Sequence, residues 1–438
     1  MSELNNELLT FIQSSPSVFH TVLSIRSYLE DAGFVYIPEN DYWLLVPGLY
    51  YTTRNDSSII AFCIPEETDS YHFQLCASHS DSPTFKLKEK AELSGPDSYL
   101  RLNVEPYGGM IDYTWFDKPL SIAGRVLVRC GSGLESRFVN IQEPTLIIPS
   151  LPIHFNRDVN KGYAFNRQTD LLPMCSAGSI TAGELDSYLA EEIGISPENI
   201  LGRDLYLVNR QLGYVWGLKK EFISAPKLDD LQAVFTSLKG FIAASESPSN
   251  VVNVFCCFDN EEVGSGTKQG ACSTFLSDTL RRINSGLGKS QEDYFVAVAG
   301  SFMISFDNAH AVHPNHPEKY DIDNCCYMNK GIVIKENAAQ HYTTDAFSRA
   351  IMKEICARAG VPVQSFANRS DAAGGSTLGN LSNTQVSLNA VDIGLAQLAM
   401  HSSYETAGTL DTEYAVRAIT QYYNSDIRIN GADSVSIR

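Results

Sequence analysis

Apolar residues recur at helical spacing near the start of the chain. Val18, Val22, Ile25 and Leu29 lie three or four positions apart. They follow Ser15-Pro16, a capping residue and a proline suited to a first helical turn. Two strand patterns come next, SIIAFCI and YHFQLCAS, and in the second Phe73, Leu75 and Ala77 alternate with polar neighbours. Between residues 92 and 222 the texture changes. Short β-like runs (IAGRVLVRC, RFVNIQ, TLIIPSLPIHF, DLYLVNR) are broken by Gly, Pro, Asn and Asp, and strongly amphipathic helical patterns are scarce. The pattern predicts an inserted β-rich domain over 92–222, with 1–91 and 223–438 forming the other domain.

After 223 helix and strand patterns alternate. A helix opens at Asp229-Asp230 and carries Leu231, Val234, Phe235, Leu238, Phe241 and Ile242. Strand VNVFCCF follows, then a helix over 268–284, then strands FVAVAGSFMISFD and GIVIKEN. A helix with Phe347, Ile351 and Ile355, strands VPVQSFA and TQVSLNAVDIG, and a closing C-terminal helix complete the series. Nearly continuous apolar strands alternating with helices predict an α/β fold: a mixed central sheet with helices on both faces.

Composition narrows the function. The chain has 438 residues, 44% hydrophobic and 19% charged, enough for a large core and more than one domain. Its formal net charge of −18 argues against a nucleic-acid partner, which needs a basic face. The first residues lack a basic segment followed by an apolar one, so the reading is no signal peptide. No apolar run approaches the ~20 residues that span a bilayer, so no membrane partner is expected. The cysteines form no C-x-x-C unit, which removes a zinc-ribbon reading. Cys63, Cys76 and Cys256 sit inside apolar runs, as small buried residues of a reducing compartment do, and the expected location is cytoplasmic.

The chemistry lies where the apolar runs stop. In an α/β sheet ligands bind at the carboxyl ends of strands. YHFQLCAS ends in His79-Ser80-Asp81, and VNVFCCF ends in Asp259-Asn260-Glu261-Glu262. ISF ends in Asp307, with His310 and His313 just after, and TQVSLNAVDIG leads on to His401. Each feature alone has an ordinary reading as a cap, a solvated turn or a core histidine. One metal site accounts for them together. Two imidazoles and several carboxylates suit zinc, with cobalt or manganese as substitutes. A carboxylate shared by two ions holds them ~3.5–4 Å apart around one water, and a free carboxylate beside it can move that water's proton. The adjacent pair Glu261-Glu262 offers a ligand and a base from one turn. Gly264 and Gly266 are expected to let the chain turn away tightly.

These segments resemble the M18 metallopeptidases, the aspartyl aminopeptidase family of co-catalytic zinc aminopeptidases. The matching stretches are ASHSDSPTFKLK, YGGMIDYTWFDKPLSIAGRV, LPIHFNR, APKLDDL, FDNEEVGSGTKQGA, FDNAHAVHPN, DAAGGSTLG and LAQLAMHSSYE, and they span nearly the whole chain. The resemblance implies a zinc-aminopeptidase/phosphorylase-like fold with an inserted dimerisation domain. It also implies two zinc ions per subunit, with His79, Asp229 and Asp307 at one and Asp229, Glu262 and His401 at the other. Glu261 would be the general base and Asp81 the acid orienting His79. Lys335 and Tyr342 match residues beside the substrate's acidic side chain, Gly375 falls among the substrate residues, and His154 matches a histidine lent to a neighbouring subunit. The implied activity is removal of N-terminal Asp or Glu from peptides by a homo-oligomer of dimers, often a dodecamer. Two departures bear on this. HSD stands where HTD is usual, and SSYE follows His401 without the basic residue common there, so acceptance of neutral or basic N-termini is the competing specificity. A catalytically silent scaffold is the reading from another class.

Overall fold

The computed structural model describes residues 3–245, 248 and 250–438. Among these residues the largest sheet has nine strands and is mixed. Its spatial order is Val35–Tyr36, Gly48–Arg54, Ser58–Ile64, Val251–Phe258, His72–His79, Phe302–Phe306, Asn389–Gly394, Ile332–Lys335 and Val363–Phe366. The centre of the sheet is parallel: Val251–Phe258 and Phe302–Phe306 flank His72–His79 with Phe258 opposite His79 and Ser305 opposite Ala77. Three consecutive strands therefore stop on one line, and their next residues are neighbours.

Both faces are covered, which explains why every residue of the two central strands is buried. Phe73, Leu75 and Ala77 face one core with helix Phe275–Gly286; Cys76, Phe255 and Cys257 face the other with helices Leu228–Ala243 and Thr409–Asn424. Alternation in YHFQLCAS thus marks two buried faces. Gln74 is tolerated inside because its amide donates to the Tyr422 carbonyl and its oxygen accepts from the Ile427 amide.

A six-stranded antiparallel sheet has a core of its own built on Phe85, Leu102, Trp115, Ile122, Val126 and Leu205. It includes strand Thr84–Ser94, so it begins ahead of residue 92. A third, five-stranded sheet holds Tyr214–Trp216, Phe222–Ala225, Glu405–Gly408, Ala396–Leu398 and Ala309–His310. Its strand Ala309–His310 and the turn holding His401, between its strands Ala396–Leu398 and Glu405–Gly408, line the same cleft as His79 and Asp307.

Several local expectations change. FVAVAGSFMISFD is not one strand. Its first half lies in helix Gln291–Ala299, started by a reciprocal capping box between Ser290 and Asp293, and only Phe302–Phe306 is strand. The early helix Val18–Asp31 starts after Ser17 rather than at Ser15-Pro16. The helix expected over 268–284 runs Phe275–Gly286. TLIIPSLPIHF makes only isolated bridges, and the expected C-terminal helix, Thr409–Asn424, is followed by a hairpin, Ile427–Asn430 with Ser434–Ile437.

Candidate metal centre

Each site residue sits where an element ends. His79 closes its strand, and Asp307 follows Phe302–Phe306 directly. After Val251–Phe258, Asn260 adopts the left-handed region (φ 64°), one 3-10 turn carries Glu261 and Glu262, and Gly264 (φ 94°) ends it. Gly264 thus makes the tight reversal expected of it. Gly266 has no positive φ; Gly270 is the crowded position, where a Cβ would lie 2.4 Å from the Ser265 carbonyl. Asp229 and Asp230 open helix Leu228–Ala243 with non-helical dihedrals. His401 (φ 66°) lies in the turn joining two strands of the five-stranded sheet.

These residues converge. His79 Nε2 is 3.6 Å from Asp229 Oδ1 and 3.8 Å from Asp307 Oδ1. His401 Nε2 is 3.4 Å from Asp229 Oδ2 and 3.4 Å from Glu262 Oε2. Asp229 therefore offers one oxygen to each histidine. Zinc bonds of ~2.0–2.1 Å in a tetrahedron put ligand atoms roughly 3.3 Å apart, so both groups have near-zinc spacing. Buried oxygens without a hydrogen-bond partner lie at Asp229 Oδ1 and Glu262 Oε1, as donors waiting for a cation do. His79, Glu261 and Glu262 also come within mutual reach, as does Asp230 beside His79, Asp229 and Asp307.

The hydrogen-bond scaffold gives Asp81 a wider role than holding His79. It does face the imidazole, with Oδ1 3.3 Å and its carbonyl 3.1 Å from Nδ1. Its carboxylate also accepts from the amides of Glu261 (3.1 Å) and Glu262 (3.0 Å) and from Tyr107 Oη (2.8 Å). Tyr107 Oη in turn accepts from the Asn260 amide group. Buried Glu405 does the same on the other wall, accepting from the Asp229 amide at 2.9 Å and the His401 amide at 2.7 Å. His401 Nδ1 faces the Gly109 carbonyl at 2.9 Å, which favours a proton on Nδ1 and leaves Nε2 free to ligate. Glu405 and Tyr107 were missed in the sequence. Glu405 was visible only as the last letter of SSYE, and Tyr107 as the first of YGGM.

The charge balance without an ion is unfavourable. Burial, with neighbouring Asp307, Asp81 and Asp229 and against the pull of His79, raises the Glu261 carboxyl to about 8. Burial and Asp229 push Glu262 well up, and burial and Asp229 raise Glu405 to about 8. Burial opposes the charge on Asp229, yet the neighbouring His401 and His79 imidazoles outweigh it and hold that carboxyl well down. His401 is raised to about 9, Asp229 outweighing burial. The imidazoles are drafted as cations beside a surplus of carboxylates, a role a dication would take over.

A cleft of about 340 Å³ opens on this cluster and is also lined by His310, Lys335, Tyr342, Phe366 and Gly375. Lys335 is buried. Its Nζ donates to the Asp307 carbonyl at 2.7 Å and lies 3.3 Å from Asp307 Oδ2 and 5.2 Å from the Tyr342 ring centre. Buried Asp392 joins the walls behind it: it accepts from the Thr343 amide and hydroxyl (2.5 and 2.6 Å), Thr377 (2.5 Å) and Ser305 (2.7 Å). His154 lies in an exposed turn and is not part of the cleft lining; His313 is likewise outside it.

A two-histidine, carboxylate-rich centre at the carboxyl ends of a mixed α/β sheet defines a metal-dependent hydrolase. The family model described as Aminopeptidase I zinc metalloprotease (M18) matches residues 11–423, and the chain belongs to that family, as a metalloaminopeptidase. It is 46% identical over 431 residues to "Probable M18 family aminopeptidase 2" of Clostridium acetobutylicum, covering 96% of this chain and 99% of that one. A chain in the structure of the Ape4 and Nbr1 complex superposes with a TM-score of 0.93 at 36% identity, covering 96% of this chain and 85% of that one. The S. cerevisiae mApe1 dodecamer gives a TM-score of 0.85 at 26% identity, with 96% of each chain covered.

Proposed function

We propose that this metalloaminopeptidase works with two zinc ions and prefers N-terminal Asp or Glu. The observation that carries the pair is Asp229, whose two oxygens face two separate histidines. His79, Asp229 and Asp307 would hold one ion, and Asp229, Glu262 and His401 the other. Bound there, zinc supplies Lewis acidity toward water and the scissile carbonyl. Glu261 belongs to the same cluster, within mutual reach of His79 and Glu262, while its amide is pinned by Asp81. It takes the proton of the attacking water and passes it to the departing amine nitrogen. The carboxylate-rich wall suits the substrate's α-ammonium group, which sets the exopeptidase register.

Lys335 and Tyr342 support the acidic preference, since they put a cation and a phenol in the cleft wall. Lys335 is already engaged by Asp307, so it would serve both the ligand and the substrate carboxylate, with Gly375 leaving open room beside it. We place the enzyme in the cytoplasm on its buried cysteines, Cys76 and Cys256 among them. We further propose homo-oligomers of dimers, as large as the dodecamer formed by mApe1, with 92–222 as the contact domain and exposed His154 reaching a neighbour's cleft. Hydrolysis of Asp-, Glu-, Leu- and Lys-amides, with chelator and after zinc add-back, tests the reading. Expected is chelator-sensitive turnover led by Asp and Glu, with Lys335→Met levelling the preference. A Leu- or Lys-led panel would replace the specificity.

A further inference from the structure

We propose that the chain carries a second ligand site, for a small oxyanion, in a basic chamber that adjoins the Pro226–Asp229 turn. The chamber, about 90 Å³, is lined by Arg210 and Lys227 together with Asn209, Gln211, Gln142 and Gln13, and no acidic side chain is among its lining residues. It lies between helix Glu3–Ser14, the end of strand Ile200–Asn209 and the turn that leads to Asp229. Asp229 lines the metal cleft, while Lys227, two positions earlier and in the left-handed region (φ 58°), lines the chamber.

The two cations have only neutral partners. Lys227 Nζ donates to the Ser15 carbonyl. Arg210 donates to Ser121 Oγ, Asn140 Oδ1 and the Ile141 carbonyl. Among the described residues neither has an acidic side chain as a hydrogen-bond or ion-pair partner. That is unexpected in a chain with 51 acidic and 33 basic residues, where surface carboxylates are plentiful. Half-buried cations without a counter-ion are costly, and a planar guanidinium beside an ammonium and the Gln13 and Gln142 amides is a donor set for a carboxylate, sulfate or phosphate oxygen cluster. An adjoining cavity of about 50 Å³ shares Lys227 and Asn209 and reaches Asp81 and Glu405. The carboxylates there are turned to other donors: Asp81 to Tyr107 and the Glu261 and Glu262 amides, Glu405 to the Asp229 and His401 amides. A bound oxyanion would tie the first helix and the six-stranded sheet to the turn that presents Asp229.

The probe is inorganic sulfate, added to the zinc-loaded full-length protein against chloride at matched ionic strength. The melting temperature is expected to climb by several degrees along a saturating curve, as ligand linkage requires. Arg210→Gln should abolish the rise while leaving turnover of the preferred aminoacyl-amide unchanged. Crystals soaked in selenate should show an anomalous peak between Arg210 and Lys227, a readout that does not need the variant to fold. No saturating rise, an equal rise in Arg210→Gln, a selenate peak confined to the metal centre, or a neighbouring copy's carboxylate filling the chamber would each overturn the site.

Discussion

The metal cleft and the basic chamber meet at one short turn and are built on opposite plans. On the cleft side, Asp229, Asp230, Glu261, Glu262 and Asp307 crowd two histidines. On the chamber side, among the described residues Lys227 and Arg210 donate only to carbonyls, a hydroxyl and an amide oxygen. Like charges ~4 Å apart at an effective dielectric of 20 repel by about 4 kcal/mol, and salt relieves little of that inside a cavity. In both places the dominant sign points to the ligand that suits it, a dication on one side and the proposed oxyanion on the other. The difference lies in the framing. The carboxylates are fixed by a dense scaffold through Asp81 and Glu405. The cations are held by a few neutral contacts, as suffices for binding alone.

The sharpest break of this contrast is kinetic. Glu261→Gln should lower kcat by about 10²–10⁴-fold with zinc content unchanged, measured by amide hydrolysis and metal analysis. Unchanged turnover would mean that the cleft is not the reacting centre. Next is the scaffold: Tyr107→Phe removes a donor to Asp81 and an acceptor for Asn260, and should weaken zinc binding by about 10–100-fold in a chelator competition. The third test is pH. Without metal, Glu261 and Glu405 sit at about 8 and Asp259 at about 7, with burial the leading cause in each case, against an unfolded value of about 4. The folded state then holds more protons than the unfolded state across that window, so the chelated protein should lose stability as pH rises from about 4 to about 8. Zinc-loaded protein should lack that decline, because ligands are held deprotonated by the ion. Thermal melts with and without chelator make the comparison. The smallest effect expected is a several-fold rise in KM with little change in kcat for Asp392→Asn, since Asp392 joins Thr343 and Thr377 behind the substrate wall rather than touching the reacting atoms.

What the sequence made legible was chemistry attached to strand ends. His79, Glu261, Glu262 and Asp307 each follow an apolar run, and parallel pairing in register brings such ends together with no further information. The scaffold was not legible, because its partners come from other sheets. Tyr107 reaches Asp81 from the six-stranded sheet, and Glu405 reaches Asp229 across a strand pairing that sets Ala225 opposite Glu405. Asp392 reads as one polar letter in a core strand. The run FVAVA has strand-like composition, and only the Ser290–Asp293 spacing betrays its helix.

The segment 107–111 has an evolutionary consequence. Tyr107 grips Asp81 and Asn260, the Gly109 carbonyl faces the His401 ring, and the Ile111 amide donates to the His401 carbonyl. At Gly108 (φ 78°) a side chain would press within 3.1 Å of Glu262 Cβ. A stretch that leaves the six-stranded sheet at Tyr107 thus works as a keystone of the metal cleft. The six-stranded sheet therefore cannot be exchanged independently of the cleft, and substitutions at 107–111 should be inherited together with those at 81, 260, 262 and 401 across descendants of this chain.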